Sequence, residues 1–340
     1  MKPAAQAGFV SLDIVVSRYW LAHADVPELP HRLAVGWSGG ADSTALLLAL
    51  KQLGHDVQAW HVDHAWRDSS EQEAESLSEK ASAWAIPFLS ARLQMPSGKN
   101  REAEARKGRL AQFQNWQRQG GITTLCLGQH RQDQAETVCM RLLQGAGAGG
   151  CRGMSHQRQF GDLRIVRPLL HVSVQDLKQA LLKAGIEWFE DPSNSDLSIW
   201  RNRIRHQLFP AMQQVGIAPD DLFLRWQRQA DVLMQRIDDL VNDLWRRKVE
   251  CDHGRITLPW SVWLACSAPV RARLLQRMVN CLHGGAATPG RRHIELVELW
   301  TQKNARGGLD LSRCRLYRRK GSLHLQSTRA ALAGCDSSVI

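Results

Sequence analysis

Ser38-Gly39-Gly40-Ala41-Asp42-Ser43 is the stretch that decides the fold, because it stands between an apolar run at 33–37 and a second apolar run at 44–50. The first run predicts a buried strand and the second a helix. Two glycines let the backbone approach a bulky anion, and the amides at a helix start favour negative charge. No Gly-Lys-Ser/Thr closes the stretch, and the third glycine of a dinucleotide-binding motif is absent. The sequence therefore predicts a different phosphate-binding loop, with an ordinary glycine-rich turn as the alternative.

Composition bounds the class of protein. The chain has 340 residues, 44% hydrophobic and 23% charged, which is enough for a sizeable core and two domains. No apolar stretch reaches membrane-spanning length and the first ten residues lack a signal pattern, so we expect a cytoplasmic protein with no membrane partner. The net charge of +11 is compatible with a nucleic-acid partner, or simply with a basic soluble protein. None of the eight cysteines forms a C-x-x-C pair, so neither a zinc site nor a disulfide framework is indicated.

Strand and helix patterns alternate through the first half of the chain. After a short helix within 11–24, strands are predicted at 33–37, 56–64, 86–93, 123–128 and 163–166, and helices at 44–50, 69–85, 101–118, 138–143 and 172–184. This alternation predicts an open parallel α/β sheet with flanking helices. Ligands bind such sheets at the carboxyl ends of the strands, where the phosphate-binding loop and His64 would lie.

A polar helix start follows the fourth predicted strand. Asp133, Glu136 and Thr137 are three and four residues apart, so they share one helix face, with His130 at its start. Two carboxylates facing a triphosphate are what Mg²⁺ requires, because this ion shares its remaining coordination with phosphate and water. A solvated acidic helix face is the alternative.

The second half predicts a smaller, mainly helical domain. The segment 145–153 is too glycine-rich to predict regular structure, and it is either a lid or a linker. Long amphipathic patterns from 222 onward predict helices, and leucines within 309–325 predict a small hairpin rich in arginine. The tryptophans here favour core positions over base stacking. The expected divisions are an N-terminal helix and tail (1–30), an α/β domain that carries the phosphate-binding loop (31–212), a mainly helical domain (213–326) and a tail (327–340).

The phosphate-binding loop resembles the PP-loop of N-type ATP pyrophosphatases, which cleave ATP between its α and β phosphates. Together with five further motifs in the same order, it resembles the tRNA(Ile)-lysidine synthases over residues 32–210. These motifs are His-Val-Asp-His (61–64), Asp-Gln-Ala-Glu-Thr (133–137), Arg-Pro-Leu-Leu (167–170), Glu-Asp-Pro-Ser-Asn (190–194) and Arg-Asn-Arg-Ile-Arg (201–205).

The resemblance implies an ATP-dependent ligase. Enzymes of that family join L-lysine, through its side-chain amine, to C2 of the wobble cytidine (position 34) of isoleucine tRNA with a CAU anticodon. They do so through an adenylated tRNA intermediate, releasing pyrophosphate and then AMP. ATP and Mg²⁺ are accordingly the expected substrate and cofactor, and tRNA and lysine the expected partners. The oligomeric state, including a homodimer, is left open.

The resemblance implies that 31–212 is a PP-loop ATP pyrophosphatase catalytic domain and that 213–326 binds tRNA or substrate. It also implies roles for single residues. Asp42, His130, Asp133 and Glu136 are expected to be catalytic, with the three carboxylates holding Mg²⁺. ATP is expected to contact Ser38, Gly39, Gly40, Ala41, Asp42, Ser43, Asp63 and His64. The expected tRNA contacts are Arg106, Arg109, Arg201, Asn202 and Arg205. The general base for the attacking lysine is not assigned.

Several positions depart from the family pattern. Gln129 and Gln132 replace a histidine and an acid at the helix start, Cys151 replaces a leucine, and Leu110 stands where an aromatic residue is usual. A degenerate, non-catalytic tRNA-binding protein is therefore one alternative. Another PP-loop tRNA modifier such as a thiolase is a second, although it would typically carry paired cysteines. A PP-loop amidotransferase or NAD synthetase is a third, but it leaves the arginines of 201–205 unexplained.

Overall fold

The computed structural model describes residues 12–23, 25–63, 70–93, 101–252, 254–283, 289–311 and 313–328. The chain divides into two compact units, residues 1–228 and 229–340. The dividing point lies inside a long helix, whereas the sequence places the domain boundary at 212/213. The functional domain bounds given above stay a prediction.

The first unit is built from alternating strands and helices. Its strands are β1 (Arg32–Gly36), β2 (Asp56–Asp63), β3 (Phe88–Arg92), β4 (Thr124–Leu127), β5 (Gln157–Phe160) and β6 (Leu163–Val166). Its helices are α1 (Ile14–Leu21), α2 (Ala41–Gln52), α3 (Ser70–Ala83), α4 (Arg101–Gly120), α5 (Arg131–Leu143), α6 (Ala148–Cys151), α7 (Val174–Lys183), α8 (Trp200–Arg203) and α9 (Phe209–Gln214). A 3₁₀ turn at Pro192–Ser195, a π-helical turn at Ile204–Leu208 and α10 (Pro219–Lys248) complete this part of the chain.

Within the described residues these strands form one six-stranded sheet with the order β3-β2-β1-β4-β6-β5. The first four strands and β6 run parallel, and β5 alone is antiparallel, to β6. The chain leaves β1 toward β2 and later returns to place β4 on the other side of β1. A crevice therefore opens between the carboxyl ends of β1 and β4, where ligands bind in sheets of this topology.

Two apolar cores cover the faces of this sheet. One joins the buried face of α2 to β1, α7 and α1, and includes Leu46, Leu50 and Trp20. The other packs α4 against the opposite face through Phe113 and Trp116. A strand that is buried on both faces has a continuous run of apolar residues. For this reason β1 and β4 could be predicted although their apolar and polar residues do not alternate.

The structure confirms the predicted parallel α/β sheet and corrects it in two places. The sequence predicts a single strand at 163–166, which is β6. In the structure β6 pairs with β5 to form a hairpin, and the polar sequence of 157–160 did not predict β5. The segment 145–153 was expected to lack regular structure, yet it contains α6. Arg141 Nη1 donates hydrogen bonds to the carbonyls of Gly150 (2.8 Å) and Gly153 (2.6 Å). These bonds hold the segment in a regular turn that its glycines alone do not favour.

The second unit combines the greater part of α10 and three further helices with a small antiparallel sheet in its described residues. Its strands are β7 (Glu250–Asp252), β8 (Arg255–Pro259), β9 (Gly308–Leu311), β10 (Cys314–Arg319) and β11 (Ser322–Ser327), and its helices are α11 (Trp260–Ala265), α12 (Ala268–His283) and α13 (Arg291–Gln302). In the described part of this unit the sheet has five strands in the order β7-β8-β11-β10-β9. The predicted hairpin is therefore present as β10–β11, but inside a larger sheet. Trp263, Trp260 and Trp300 are buried, as expected for core residues, whereas Trp226 on α10 is 52% exposed and does not occupy a core position.

No helix among the residues described here combines the length and the apolar character needed to cross a bilayer.

Candidate functional site

The loop between β1 and α2 has the geometry of an anion cradle. Gly39 adopts a φ of +82°, which L side chains rarely adopt, and this turns the chain into the helix. Ser43 Oγ donates to the Gly40 carbonyl (3.2 Å) and accepts from the Ser38 amide (3.2 Å), so the loop is closed on itself. Gly40, the N-cap, offers no side chain to the first turn. The first-turn amides thus remain oriented toward a ligand, at the positive end of the helix dipole.

Two close approaches fix this loop in place. A Cβ on Gly128, just after β4, would lie 2.9 Å from the Ser43 amide nitrogen and 3.0 Å from the Asp42 carbonyl. On the other side the Phe189 amide donates to the Gly39 carbonyl at 2.9 Å. The loop is therefore held between the end of β4 and the segment after α7.

His130 connects the loop to α5. It is the N-cap of this helix: its Nδ1 accepts from the Asp133 amide (3.4 Å), and Asp133 Oδ2 accepts from the His130 amide (3.2 Å). Because Nδ1 accepts, the proton of the neutral ring lies on Nε2. That Nε2 is 3.5 Å from Asp42 Oδ2 and 3.5 Å from Asp133 Oδ2. The imidazole, only 5% exposed, thus bridges two carboxylates that come from different elements.

Asp42 is an unusual carboxylate in this site. Burial raises its pKa, and the neighbouring His130 opposes that rise. Its Oδ1 is buried and has no hydrogen-bond partner among the described residues. A buried acceptor without a donor is costly unless a ligand or cation satisfies it. This oxygen therefore points to a bound group that the loop and α5 would share.

Glu136 is engaged by two arginines. Arg205 donates from Nε to Oε1 (2.6 Å) and from Nη2 to Oε2 (3.0 Å), and its Nη2 also reaches Asp133 Oδ1 at 3.4 Å. Arg201 Nε lies 3.6 Å from Glu136 Oε2, and its Nη2 donates to the Thr137 hydroxyl at 3.0 Å. Burial raises the pKa of Glu136, and the hydrogen bond from Arg205 counteracts this. The π-helical turn at Ile204–Leu208 carries Arg205, consistent with the frequent use of such turns at functional sites.

Asn202 lies between these arginines in sequence but faces another way. Its Nδ2 donates to the carbonyls of Ser193 (2.8 Å) and Asp196 (2.9 Å), and the residue is only 6% exposed. Its amide therefore organises the polar loop that contains the Glu-Asp-Pro-Ser-Asn motif. The predicted contact between Asn202 and tRNA stays a prediction.

The structure brings together the loop 38–43, His130, Asp133, Glu136 and the arginines at 201 and 205. Asp63 is buried at the end of β2, where its Oδ2 lies 3.5 Å from Arg92 Nε. Arg106 and Arg109 lie on α4, against the opposite face of the sheet from α2. His64 lies outside the described residues.

The departures from the family pattern have structural counterparts. Gln132 Oε1 accepts from the Val174 amide (2.9 Å) and its Nε2 donates to Gln175 (3.3 Å), so this residue links the starts of α5 and α7. Gln129 Oε1 is buried without a partner in the described part of the chain. Leu110 packs at the edge of the α4 core, and Cys151 is buried. No local sequence pattern predicts the link that Gln132 makes between α5 and α7, because it is a tertiary contact.

A stack of histidine rings lies beside the end of β6. His23 and His171 have ring centroids 4.1 Å apart, and those of His23 and His156 are 6.2 Å apart. Both ring nitrogens of His171 are buried and lack partners among the described residues. Burial lowers the pKa of His171 from 6.5 to about 4, so this ring is neutral near pH 7. Sequence spacing gave no sign of this cluster, because its members come from three separate segments.

The donor set can be compared with what Mg²⁺ requires. Asp42 Oδ1 and the Asp133 carboxylate are oxygen donors close to the phosphate cradle, and Mg²⁺ needs few protein ligands when phosphates and water supply the rest. Both oxygens of Glu136 already accept hydrogen bonds from Arg205. No group of three or more His, Cys, Asp or Glu side chains in the described ranges could hold a metal by itself. Asp42 Oδ1, which has no hydrogen-bond partner among the described residues, thus fits a cation that is shared with phosphate. Asp133 lies close by, with Oδ2 accepting from the His130 amide and Oδ1 from Arg205 Nη2. The predicted Mg²⁺ set of Asp42, Asp133 and Glu136 stays a prediction.

Comparisons with known proteins agree with this geometry. A family model described as a PP-loop domain matches residues 16–212. A tRNA(Ile)-lysidine synthase of Chlamydia pneumoniae is 37% identical over 190 residues, which are 55% of this chain and 60% of that protein. A tRNA(Ile)-lysidine synthase of Solibacter usitatus is 32% identical over 291 residues, 83% of this chain and 65% of the relative. The one from Pseudomonas syringae pv. tomato is 38% identical over 53% of this chain and 41% of its own length. The chain thus spans less than two thirds of each of these curated relatives.

Among solved structures, the U34-tRNA thiolase NcsA from Methanococcus maripaludis, with its [4Fe-4S] cluster, is similar with a TM-score of 0.52. The match covers 64% of this chain and 77% of the thiolase, at 13% sequence identity. At this identity the likeness shows a shared fold.

Proposed function

The chain belongs to the PP-loop domain family, and from this premise we propose that it joins L-lysine to C2 of the wobble cytidine (position 34) of isoleucine tRNA with a CAU anticodon. The observation that carries the proposal is the convergence of the PP-loop, the His130–Asp133 cap and the Arg205–Glu136 pair at the carboxyl ends of β1 and β4. The similarity to curated tRNA(Ile)-lysidine synthases supports the choice of substrates.

The reaction has two steps that balance. The C2 oxygen of the cytosine attacks the α-phosphorus of ATP, the bond to the bridging oxygen of the β-phosphate breaks, and pyrophosphate leaves. The lysine side-chain amine then attacks C2, the C2–O bond breaks, AMP leaves, and the nitrogen loses a proton. The first step is needed because the unmodified C2 oxygen is a poor leaving group.

The residues of the cradle would serve the first step. The loop 38–43 would hold the β- and γ-phosphates through its first-turn amides, where negative charge builds up as the bond to the α-phosphate breaks. Asp42 and Asp133 would hold Mg²⁺, which supplies charge neutralisation on the phosphates. His130 would keep both carboxylates in place through its Nε2–H.

The arginines would serve the tRNA side of the site. Glu136 fixes Arg205 with two hydrogen bonds and lies near Arg201, so both guanidinium groups are positioned on α5 before any substrate arrives. Planar guanidinium groups held in this way suit phosphate recognition. We assign Arg201 and Arg205 to contacts with the tRNA or with the adenylated intermediate.

A thiolase reaction is the alternative within the same fold. It would require grouped cysteines, but Cys126 and Cys139 are buried, and burial raises their thiol pKa values to about 12 and about 11. These groups remain protonated near neutral pH and suit a core position better than sulfur chemistry. The ligase is therefore the better-supported proposal.

Transfer of labelled lysine tests the ligase. The protein is incubated with ATP, Mg²⁺ and unmodified isoleucine tRNA with a CAU anticodon, and in parallel with the same tRNA carrying uridine at the wobble position. We expect lysine on the first tRNA alone, and none when Asp133 is replaced by Asn. Asp176→Asn, on the exposed surface of α7, is the matched control and should keep full activity. Pyrophosphate release without lysine transfer would contradict the proposed acceptor, and tRNA binding without either would favour the non-catalytic alternative.

A further inference from the structure

Four arginines of the first unit, on or beside the elements around β6, have no acidic partner among the described residues. They are Arg106 and Arg109 on α4, Arg141 on α5 and Arg167 directly after β6. Elsewhere in this unit Arg131 pairs with Asp221 and Arg205 with Glu136. None of the four makes an ion pair with a carboxylate of the described residues.

Arg167 is the most buried of these arginines, with 7% exposure. Its Nη1 donates to the Ser155 carbonyl at 2.9 Å, and its own amide donates to the His156 carbonyl at 2.8 Å. Its Nε is buried without a hydrogen-bond partner in the described part of the chain. The side chain is thus held by backbone contacts, which do not balance its charge, and it keeps an unused donor.

Arg141 is fixed by the same stretch of backbone. Its Nη1 donates to the carbonyls of Gly150 and Gly153. Gln134 Oε1 accepts a hydrogen bond from the Met154 amide (2.6 Å), and Gln134 Nε2 donates to the Met154 carbonyl (2.8 Å). The segment 150–155 therefore orients two of the four arginines at once. Glycine at 153, with a φ of +69°, allows this backbone course.

The charges in this group repel one another. Burial lowers the pKa values of Arg109, Arg141 and Arg167, the last to about 10, and the positive charge of Arg106 acts on each of them in the same direction. Burying a cation without a counter-charge is costly, and proteins normally compensate it with a carboxylate or with a bound anion. Here the carboxylate is absent among the described residues.

We propose that Arg106, Arg109, Arg141 and Arg167 form a second anion subsite, which takes a backbone phosphate of the RNA substrate. This inference rests on the proposed function. The subsite is distinct from the PP-loop, because Arg167 follows β6 and the PP-loop follows β1, two strands or about 10 Å apart in the sheet. Both lie at the carboxyl edge, so one RNA strand can reach the crevice and the subsite together. Arg167 is a new member of the nucleic-acid interface.

The test compares Arg167→Gln and Arg106→Gln with Arg118→Gln, an exposed control near the C-terminal end of α4. Binding of the unmodified tRNA is measured by anisotropy over a range of salt concentrations. Each of the first two variants should weaken binding about tenfold. Each should also reduce the slope of log K against log salt by about 0.7 to 0.9. The control should match the unmodified protein.

The melting temperature separates binding from a structural role. Arg167→Gln removes an uncompensated buried charge, so the melting temperature of the free protein should stay the same or rise. A lower melting temperature with an unchanged salt slope would overturn the proposal. If Arg167→Gln does not fold, Arg106→Gln, at an exposed position, decides the matter: an unchanged slope there overturns the proposal as well.

Two further arms identify the source of the phosphate. Calorimetric titration with inorganic pyrophosphate should give the same affinity for both variants and for the unmodified protein. A loss of pyrophosphate binding with unchanged tRNA binding would assign the subsite to a free anion and contradict an RNA phosphate. Lysine transfer by the unmodified protein is measured in the same series, so failure of the ligase proposal is seen separately from failure of the subsite.

Discussion

Replacing Glu136 by Gln tests whether this residue positions Arg205 or serves as a metal ligand. The Glu136 side chain is 1% exposed, and both of its oxygens accept hydrogen bonds from Arg205, at 2.6 and 3.0 Å. The substitution keeps the shape and one acceptor oxygen but removes the charge. Among the described residues, the Arg205 guanidinium would then have Asp133 alone as an acidic hydrogen-bond partner.

The expected loss follows from the exposure of the two partners. Breaking a fully buried ion pair by removing one charge costs about 3 to 5 kcal/mol. The Arg205 side chain is 33% exposed, so water recovers part of its solvation. We therefore expect the free energy of unfolding to fall by about 2 to 3 kcal/mol.

Urea unfolding followed by circular dichroism measures this loss. The double variant Glu136→Gln/Arg205→Gln should lose less than the sum of the two single variants, with a coupling energy of about 2 kcal/mol. In pyrophosphate-release assays the Glu136 variant should lose turnover while its requirement for Mg²⁺ stays unchanged. Unchanged stability together with a raised Mg²⁺ requirement would refute the reasoning, and would make Glu136 a metal ligand instead.

Two further substitutions follow from the geometry. Gly128→Ala places a Cβ 2.9 Å from the Ser43 amide nitrogen, so it should destabilise the protein by about 1 to 3 kcal/mol and raise the KM for ATP. The control Gly120→Ala places its Cβ in open space and should do neither. Equal effects of the two substitutions in thermal melts and ATP kinetics would contradict the contact. Burial lowers the pKa of His171 from 6.5 to about 4, so between these pH values the unfolded state binds more protons than the folded state does. The stability of the protein should therefore fall as the pH drops from 6.5 toward 4. His171→Gln should make the melting temperature less dependent on pH over this range, and an unchanged dependence would contradict the role given to His171.

Much of the first unit could be predicted from the sequence, because local patterns there agree with the tertiary fold. The apolar run at 33–37 is buried on both faces of the sheet, and the stretch 38–43 forms the turn that its glycines favour. The spacing of Asp133 and Glu136 placed both on α5 with His130 at its start, and the structure confirms His130 as the N-cap. These features depend on residues close in sequence.

Other features depend on contacts between distant residues. The 157–160 strand is polar and mostly exposed, so it shows no apolar alternation, and it forms because Leu163–Val166 offers it a partner at the sheet edge. The α6 turn depends on hydrogen bonds from Arg141, and the engagement of Glu136 depends on Arg205, 69 positions later. A single sequence does not reveal which carboxylate pairs with which arginine, so the contact between Glu136 and Arg205 could not be predicted. The role of Glu136 as a metal ligand stays a prediction.

The second unit illustrates the same limit. Its hairpin was visible in the alternating leucines at 309–325, but β7 and β8 are short and lie between helical patterns. Strand β8 is in the sheet because it pairs with β11, from Ser322↔Pro259 to Gln326↔Arg255. Pairing across about 70 residues leaves no local periodicity in the sequence to detect.

Nucleoside analysis of the product tests the central claim most directly. Isoleucine tRNA with a CAU anticodon is incubated with the protein, ATP, Mg²⁺ and lysine, digested to nucleosides and analysed by mass spectrometry. The account predicts that the wobble cytidine is converted to a lysine adduct at C2, with one AMP and one pyrophosphate released for each lysine incorporated. An unmodified wobble cytidine with properly folded protein, or a wobble nucleoside carrying sulfur instead of lysine, would contradict it.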